Sequence, residues 1–321
     1  MKTQDFTYAV SRIRMKETKL FSRKEIDRLI SQKDYQSVLR TLYELGFGGE
    51  TNSNEDVLTA EQNKLWQLMA ELTDDMSVFD IFRIQNDYHN LKVSVKSIYS
   101  NTEPYSMFVS GGTIKGEALF ESVKNRDYSE LPDALGLTAS LSLDTLLKTG
   151  DGQLCDAIID KATLDAVTLF AKNMQQEVIS EYAELFVASS NIKIAVRGSR
   201  LNKSLDFFSK SLSDCNTLNI EALARSAVKG FDEICNYLAD TEYKDAVSYI
   251  KKSMSSFEKW CDDKLLNSMK KQKSEPFTIG PLIAYILAKQ NEIKAVRLIL
   301  IAKLNGLDDS KINERIREMY V

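Results

Sequence analysis

Basic side chains recur along this chain at a fixed interval. Asn90-Leu91-Lys92, Asn191-Ile192-Lys193 and Glu292-Ile293-Lys294 begin 101 residues apart at each step. Within one helical turn each lysine is followed by a second cation, Lys96, Arg197 or Arg297, and each triplet has a tyrosine upstream, Tyr88, Tyr182 or Tyr285. The third copy is one residue shorter between its two cations. In the middle copy Arg200 and Lys203 extend the run, with no acidic residue from Asn191 to Ser204, and Lys193, Arg197 and Arg200 share one helical face at i, i+4 and i+7. Such a face either meets an acidic partner by charge complementarity or is simply solvated. Recurrence favours the first reading, because three equivalent units would place Lys92 with Lys96, Lys193 with Arg197 and Lys294 with Arg297 at like positions. These residues and Arg200 are the predicted partner-binding surface.

Catalytic patterns are scarce by comparison. Asp74, Asp75 and Asp80 give D-D-x4-D, and Asp262-Asp263 adds a second acidic pair, which in a helical protein is the raw material of a magnesium-dependent prenyl-diphosphate enzyme. The second pair runs into Lys264-Leu265 without a third aspartate, so solvated helix caps are the preferred reading. His89 is the only histidine, which excludes a two-histidine zinc site, and a lone helical histidine beside Tyr88 reads as structural. The stretch Gly111 to Gly116 has glycines and a lysine without the spacing that wraps amides round a phosphate. No catalytic residue, metal ligand or cofactor is assigned.

The elements that must position these side chains are helices. Only Pro104, Pro132, Pro276 and Pro281 interrupt the chain, leaving 133 to 275 free of proline. Leu65, Leu68, Met69 and Leu72 mark one core stripe, and Leu164, Val167, Met174, Val178 and Leu185 another. Ser22 to Glu25 and Thr59 to Gln62 read as capping boxes. Gly46, Gly150 and Gly306 read as helix ends, with Asp308-Asp309 restarting a helix, and Asn305-Gly306 and Asp151-Gly152 as helix-to-helix turns. A second recurrence, Lys33-Asp34-Tyr35, Arg126-Asp127-Tyr128 and Lys229-Gly230-Phe231, steps by 93 and 103 residues. Breaks at 100–116 and 209–219 then divide the chain into three helical units, 1–108, 109–215 and 216–321.

Composition sets the outer bounds. With 321 residues, 43% hydrophobic and 27% charged, the chain has the balance of a globular protein with a sizeable core. A net charge of -4 argues against nucleic acid as a partner. Cys155, Cys215, Cys235 and Cys261 form no C-x-x-C pair, which suits a reduced cytosolic setting. Residues 1–5 lead directly into charged sequence with no signal-peptide core, and the apolar run from Ala295 to Ala302 is far too short to cross a membrane.

The carboxy-terminal sequence then carries a family likeness. Glu275-Pro276-Phe277, Pro281 to Lys289, Glu292 to Leu300 and Lys303 to Leu307 closely resemble the closing helices of the C subunit of V/A-type (vacuolar-type) ATPases, whose eukaryotic counterpart is the d subunit. Tyr8-Ala9-Val10, Arg12 to Arg14 and Asp87 to Lys92 extend the resemblance towards the amino terminus. It implies an all-α, funnel-shaped protein of three similar helical domains about a pseudo-threefold axis. It also implies a non-catalytic central-stalk subunit, a socket between the central-shaft subunits and the membrane rotor ring that passes torque for ion transport. Such a protein is cytoplasmic and peripheral to the membrane. The competing reading is a helical scaffold of some other complex.

Overall fold

A computed structural model describes residues 6–49 and 56–321; the signal-peptide reading of residues 1–5 lies outside them. Among the described residues every regular element is helical. The α-helices in chain order are α1 (Thr7–Glu17), α2 (Arg23–Ile30), α3 (Tyr35–Glu44), α4 (Val57–Leu72), α5 (Asp80–Ser100), α6 (Gly116–Asn125), α7 (Asp133–Thr149) and α8 (Gly152–Met174). They continue with α9 (Glu177–Arg200), α10 (Leu205–Ser211), α11 (Ile220–Lys229), α12 (Phe231–Ala239), α13 (Ala246–Lys252), α14 (Met254–Lys270), α15 (Gly280–Leu304) and α16 (Asp309–Arg315).

Contacts gather the chain into two compact units, one from Met1–Met76 with Tyr249–Val321 and one from Ser77–Ser248. The three-part division into 1–108, 109–215 and 216–321 concerns recurrence of a pattern rather than compactness. In the first unit the core joins Ile26, Leu29, Val38 and Leu42 from α2 and α3 to Val296 and Ile299 of α15 and to Ile312 and Ile316. In the second, Leu91 and Val95 of α5 meet Leu119, Leu135, Leu143 and Ile159. Each such side chain contributes about 1.5–3 kcal/mol by leaving water.

Local chemistry explains where the helices start and stop. Ser22 and Glu25 form the predicted capping box at α2. At α4 the cap is Asp56, whose carboxylate accepts from the amides of Leu58 and Thr59, so Thr59 lies inside the helix and the predicted box there is not used. Gly46, Gly150 and Gly306 all take the positive φ that a helix end needs and that a Cβ would strain. The stripe read from Leu164 to Leu185 is broken in two: Gln175 turns left-handed at φ 51°, ending α8 before α9 begins. Leu65, Leu68, Met69 and Leu72 are all buried on α4, as their spacing predicts.

Candidate functional site: amide clamps on three long helices

The three triplets fall on long helices, α5 with 21 residues, α9 with 24 and α15 with 25. Tyr88, Tyr182 and Tyr285 are buried on them. What recurs most closely in space is the asparagine of the triplet. Asn90 is 1% exposed; its Nδ2 donates to the Val109 carbonyl at 3.0 Å and its Oδ1 accepts from the Val109 amide at 2.9 Å. Asn191 is fully buried and treats Ser213 in the same way, at 2.7 and 3.0 Å. In each case one side-chain amide satisfies both backbone groups of one residue in the segment returning after the helix.

Neighbouring side chains complete the docking of these connectors. On α5, Asp87 accepts from the Thr113 amide at 2.9 Å, the Ile114 amide at 3.1 Å and the Thr113 hydroxyl at 2.6 Å. Asn86 donates to the Ser110 carbonyl and Arg83 to that of Gly112. A Cβ on Gly112 would collide with the Asp87 carboxylate, so this glycine is needed for the close approach. Burial pushes the Asp87 carboxyl up, against the pull of the Thr113 and Ile114 hydrogen bonds and of Arg83. On α9 the matching acid is Glu184, which accepts from the Thr217 amide and hydroxyl at 2.8 and 2.7 Å and from Asn216 at 3.1 Å. The two helices also touch: Gln85 donates to the Tyr182 hydroxyl at 2.9 Å, and the rings of Phe82 and Tyr182 meet edge-on at 4.9 Å.

In the other compact unit α15 carries a buried charge cluster. Lys289 pairs with both Glu61 of α4 and Glu292, and its ammonium lies 5.2 Å from the centre of the Phe47 ring. Glu292 accepts the Phe21 amide at 2.6 Å and Glu61 that of Gly48 at 2.8 Å, so the same carboxylates hold one loop to α15 and one to α4. Burial pushes the Glu292 carboxyl up; Lys289 opposes this and Glu61 adds to it. For Lys289 burial acts downward, but the two glutamates outweigh it and its pKa is raised.

The predicted cations occupy three kinds of environment. Lys92 reaches Asp160 at 2.6 Å and Lys96 reaches Asp156 at 2.8 Å, so both brace α5 to α8. Lys294 reaches Asp262 of α14 at 3.3 Å, a carboxylate it shares with Arg317 at 2.7 Å. On α9, Lys193 is half-buried with no ion pair among the described residues, while Arg197 and Arg200 are exposed. The Arg200 guanidinium lies 5.3 Å from the Phe231 ring centre, and the Lys203 ammonium 5.2 Å from that of Phe207. Arg297 is exposed on α15.

The acidic pattern does not assemble a metal centre among the described residues. Asp80 is taken by Arg83 at 2.7 Å, Asp262 by Lys294 and Arg317, and Asp263 by the Glu318 amide at 2.7 Å. His89 lies on the outward side of α5, about 100° round the helix from buried Tyr88. Partial shielding of its ring from water lowers its pKa, Lys92 adds to this, and the backbone of Met107 opposes it.

The sequence pattern gives the lysines a role and leaves the asparagines as markers of the repeat. The missed signal was a short polar residue in a core-facing register, between Tyr88 and Leu91 or beside Ile192.

A family model described as ATP synthase (C/AC39) subunit matches residues 9–315. The C subunit of the V-type sodium ATPase of Enterococcus hirae is 24% identical, over 96% of this chain and 97% of its own length. The C subunit of the A-type ATP synthase of Methanocaldococcus jannaschii is also 24% identical, over 96% and 85%. Its V-type ATP synthase counterpart from Thermus thermophilus is 23% identical, over 97% and 98%. With its helical composition and a family match from α1 to α16, the chain belongs to the ATP synthase (C/AC39) subunit family.

Proposed function

We propose that this protein is a non-catalytic central-stalk subunit of a rotary V/A-type ATPase, a socket that joins the central-shaft subunits to the membrane rotor ring. The observation that carries the reading is the extent of the similarity. It runs from residue 9 to residue 315, and two relatives named as the C subunit of such enzymes are covered over 97% and 98% of their own length. In this reading the recurrence at 101-residue intervals reflects three similar helical segments, 1–108, 109–215 and 216–321, arranged as a funnel about a pseudo-threefold axis. The protein sits on the cytoplasmic side, peripheral to the membrane. No helix among the described residues is long and apolar enough to cross one.

A part that passes torque must resist deformation between its two interfaces. Close-packed helices supply stiffness, and the connectors are the compliant places where it would be lost. Asn90, Asp87, Asn191 and Glu184 fasten those connectors to α5 and α9 by hydrogen bonds that exclude sliding, since each side chain reads particular backbone groups.

Lys92, Lys96, Lys193, Arg197, Arg200, Lys294 and Arg297 contribute to the partner-facing surface in this reading. The braced lysines of α5 and α15 already have carboxylates, so each contributes less of the cationic attraction than an unpaired lysine would. Replacing Lys193 and Arg197 by glutamate tests this against purified shaft subunits. Weaker association with an unchanged helical spectrum supports the assignment; equal association removes these residues from the interface.

A further inference from the structure

α15 holds a third amide clamp, and it is half made. Asn291 Nδ2 donates to the Glu318 carbonyl at 2.8 Å, as Asn90 and Asn191 do to their connectors. The Glu318 amide does not return to Asn291; it donates to Asp263 of α14 at 2.7 Å. Asn291 Oδ1 is left buried without a hydrogen-bond partner, a costly state for an amide oxygen. At Val109 and Ser213 one side-chain amide satisfies the N–H and the carbonyl of one residue together, so the geometry that would use this oxygen exists twice elsewhere in the chain.

We infer that Ile316 to Val321 is a two-state latch, in which the Glu318 N–H transfers from the Asp263 carboxylate to Asn291 Oδ1. In the observed state Asp263 is faced by Glu318 on the latch and by Lys259 and Asp262 on its own helix. Asp262 holds Arg317 of the latch and Lys294 of α15, Lys270 reaches Glu318 at 3.5 Å, and Lys273 donates to the Tyr320 carbonyl at 2.9 Å. Asn291 is the acceptor that α15 presents. Burial pushes the Asp263 carboxyl up, and Glu318 and Asp262 add to this. Loss of its charge weakens the charge-assisted bond, and the Asn291 oxygen then takes the proton donor. Buried Ile316, Met319 and Tyr320 and the Arg317 pair keep the segment seated, so the change is one of hydrogen-bond register and not release.

The test is amide hydrogen exchange at Glu318 in the full chain, for the unaltered protein, Asp263→Ala, Asn291→Leu and the double variant. The latch predicts that Asp263→Ala alone lowers protection by less than about threefold, because Asn291 substitutes. It also predicts that the double variant loses at least about tenfold more than the product of the two single effects. Effects that simply multiply overturn it. If the variants do not fold, the unaltered protein is titrated: a Glu318 amide shift that follows Asp263 while protection holds supports the latch, and protection that falls in step with Asp263 protonation overturns it.

Discussion

The connector after α10, clamped by α9, and the one after α5 are held by the same kind of side chain, yet their surroundings differ. Ser213 is 1% exposed, whereas Val109 is 39% exposed. Water can replace much of what Asn90 gives to Val109, but little of what Asn191 gives to Ser213. The same clamp therefore does different thermodynamic work in two places, and the connector between α10 and α11 is the one whose position depends on it. α15 and α4 add a contrast, because there the loops are held by the carboxyl groups of Glu292 and Glu61 around Lys289.

The largest effect is expected at that charge cluster. Lys289→Met leaves two buried carboxylates without their cation and is predicted to cost about 3–5 kcal/mol, measured as a urea midpoint. The cluster also sets a pH dependence. Burial raises Glu292 above its ordinary value of 4.5, so between that value and the raised one the folded state retains a proton that the unfolded chain has released. Stability therefore falls as pH rises through that window. Glu292→Gln should flatten this decline, and an unchanged slope would assign it to other groups.

Next in size is Asn191→Ala, which strands the backbone groups of buried Ser213 and is predicted to cost about 1–3 kcal/mol in all. Asn90→Ala should cost clearly less, since solvent reaches Val109. Equal losses in denaturant titration would break the comparison between the two connectors. The smallest effect is predicted for Lys96→Ala, which removes a pair that is 47% exposed at the lysine; an exposed ion pair is worth about 0–1 kcal/mol.

Much of the helical frame was legible from residue patterns. The stripe on α4, the box at Ser22 and the terminal glycines are local signals, and each element answers to side chains within a turn or two of itself. Two local readings failed for local reasons: Asp56 outcompeted Thr59 as a cap, and Gln175 took a left-handed turn that its residue type does not announce. The clamps were illegible for a different reason. Asn90 and Asn191 bond to backbone groups 19 and 22 residues downstream, and a backbone amide has no residue identity to read. The lysines were visible as a recurrence, but whether a lysine braces Asp160 or faces a partner depends on which helix the fold lays beside it.

The central claim, a place in the stalk of a rotary ATPase, is tested most directly by affinity purification of the tagged full chain from native membranes, with its partners identified by mass spectrometry. The account predicts recovery of shaft and rotor-ring subunits in constant proportion to the tagged chain. Recovery of the chain without any other component of a rotary ATPase, under conditions that keep the enzyme assembled, would contradict it.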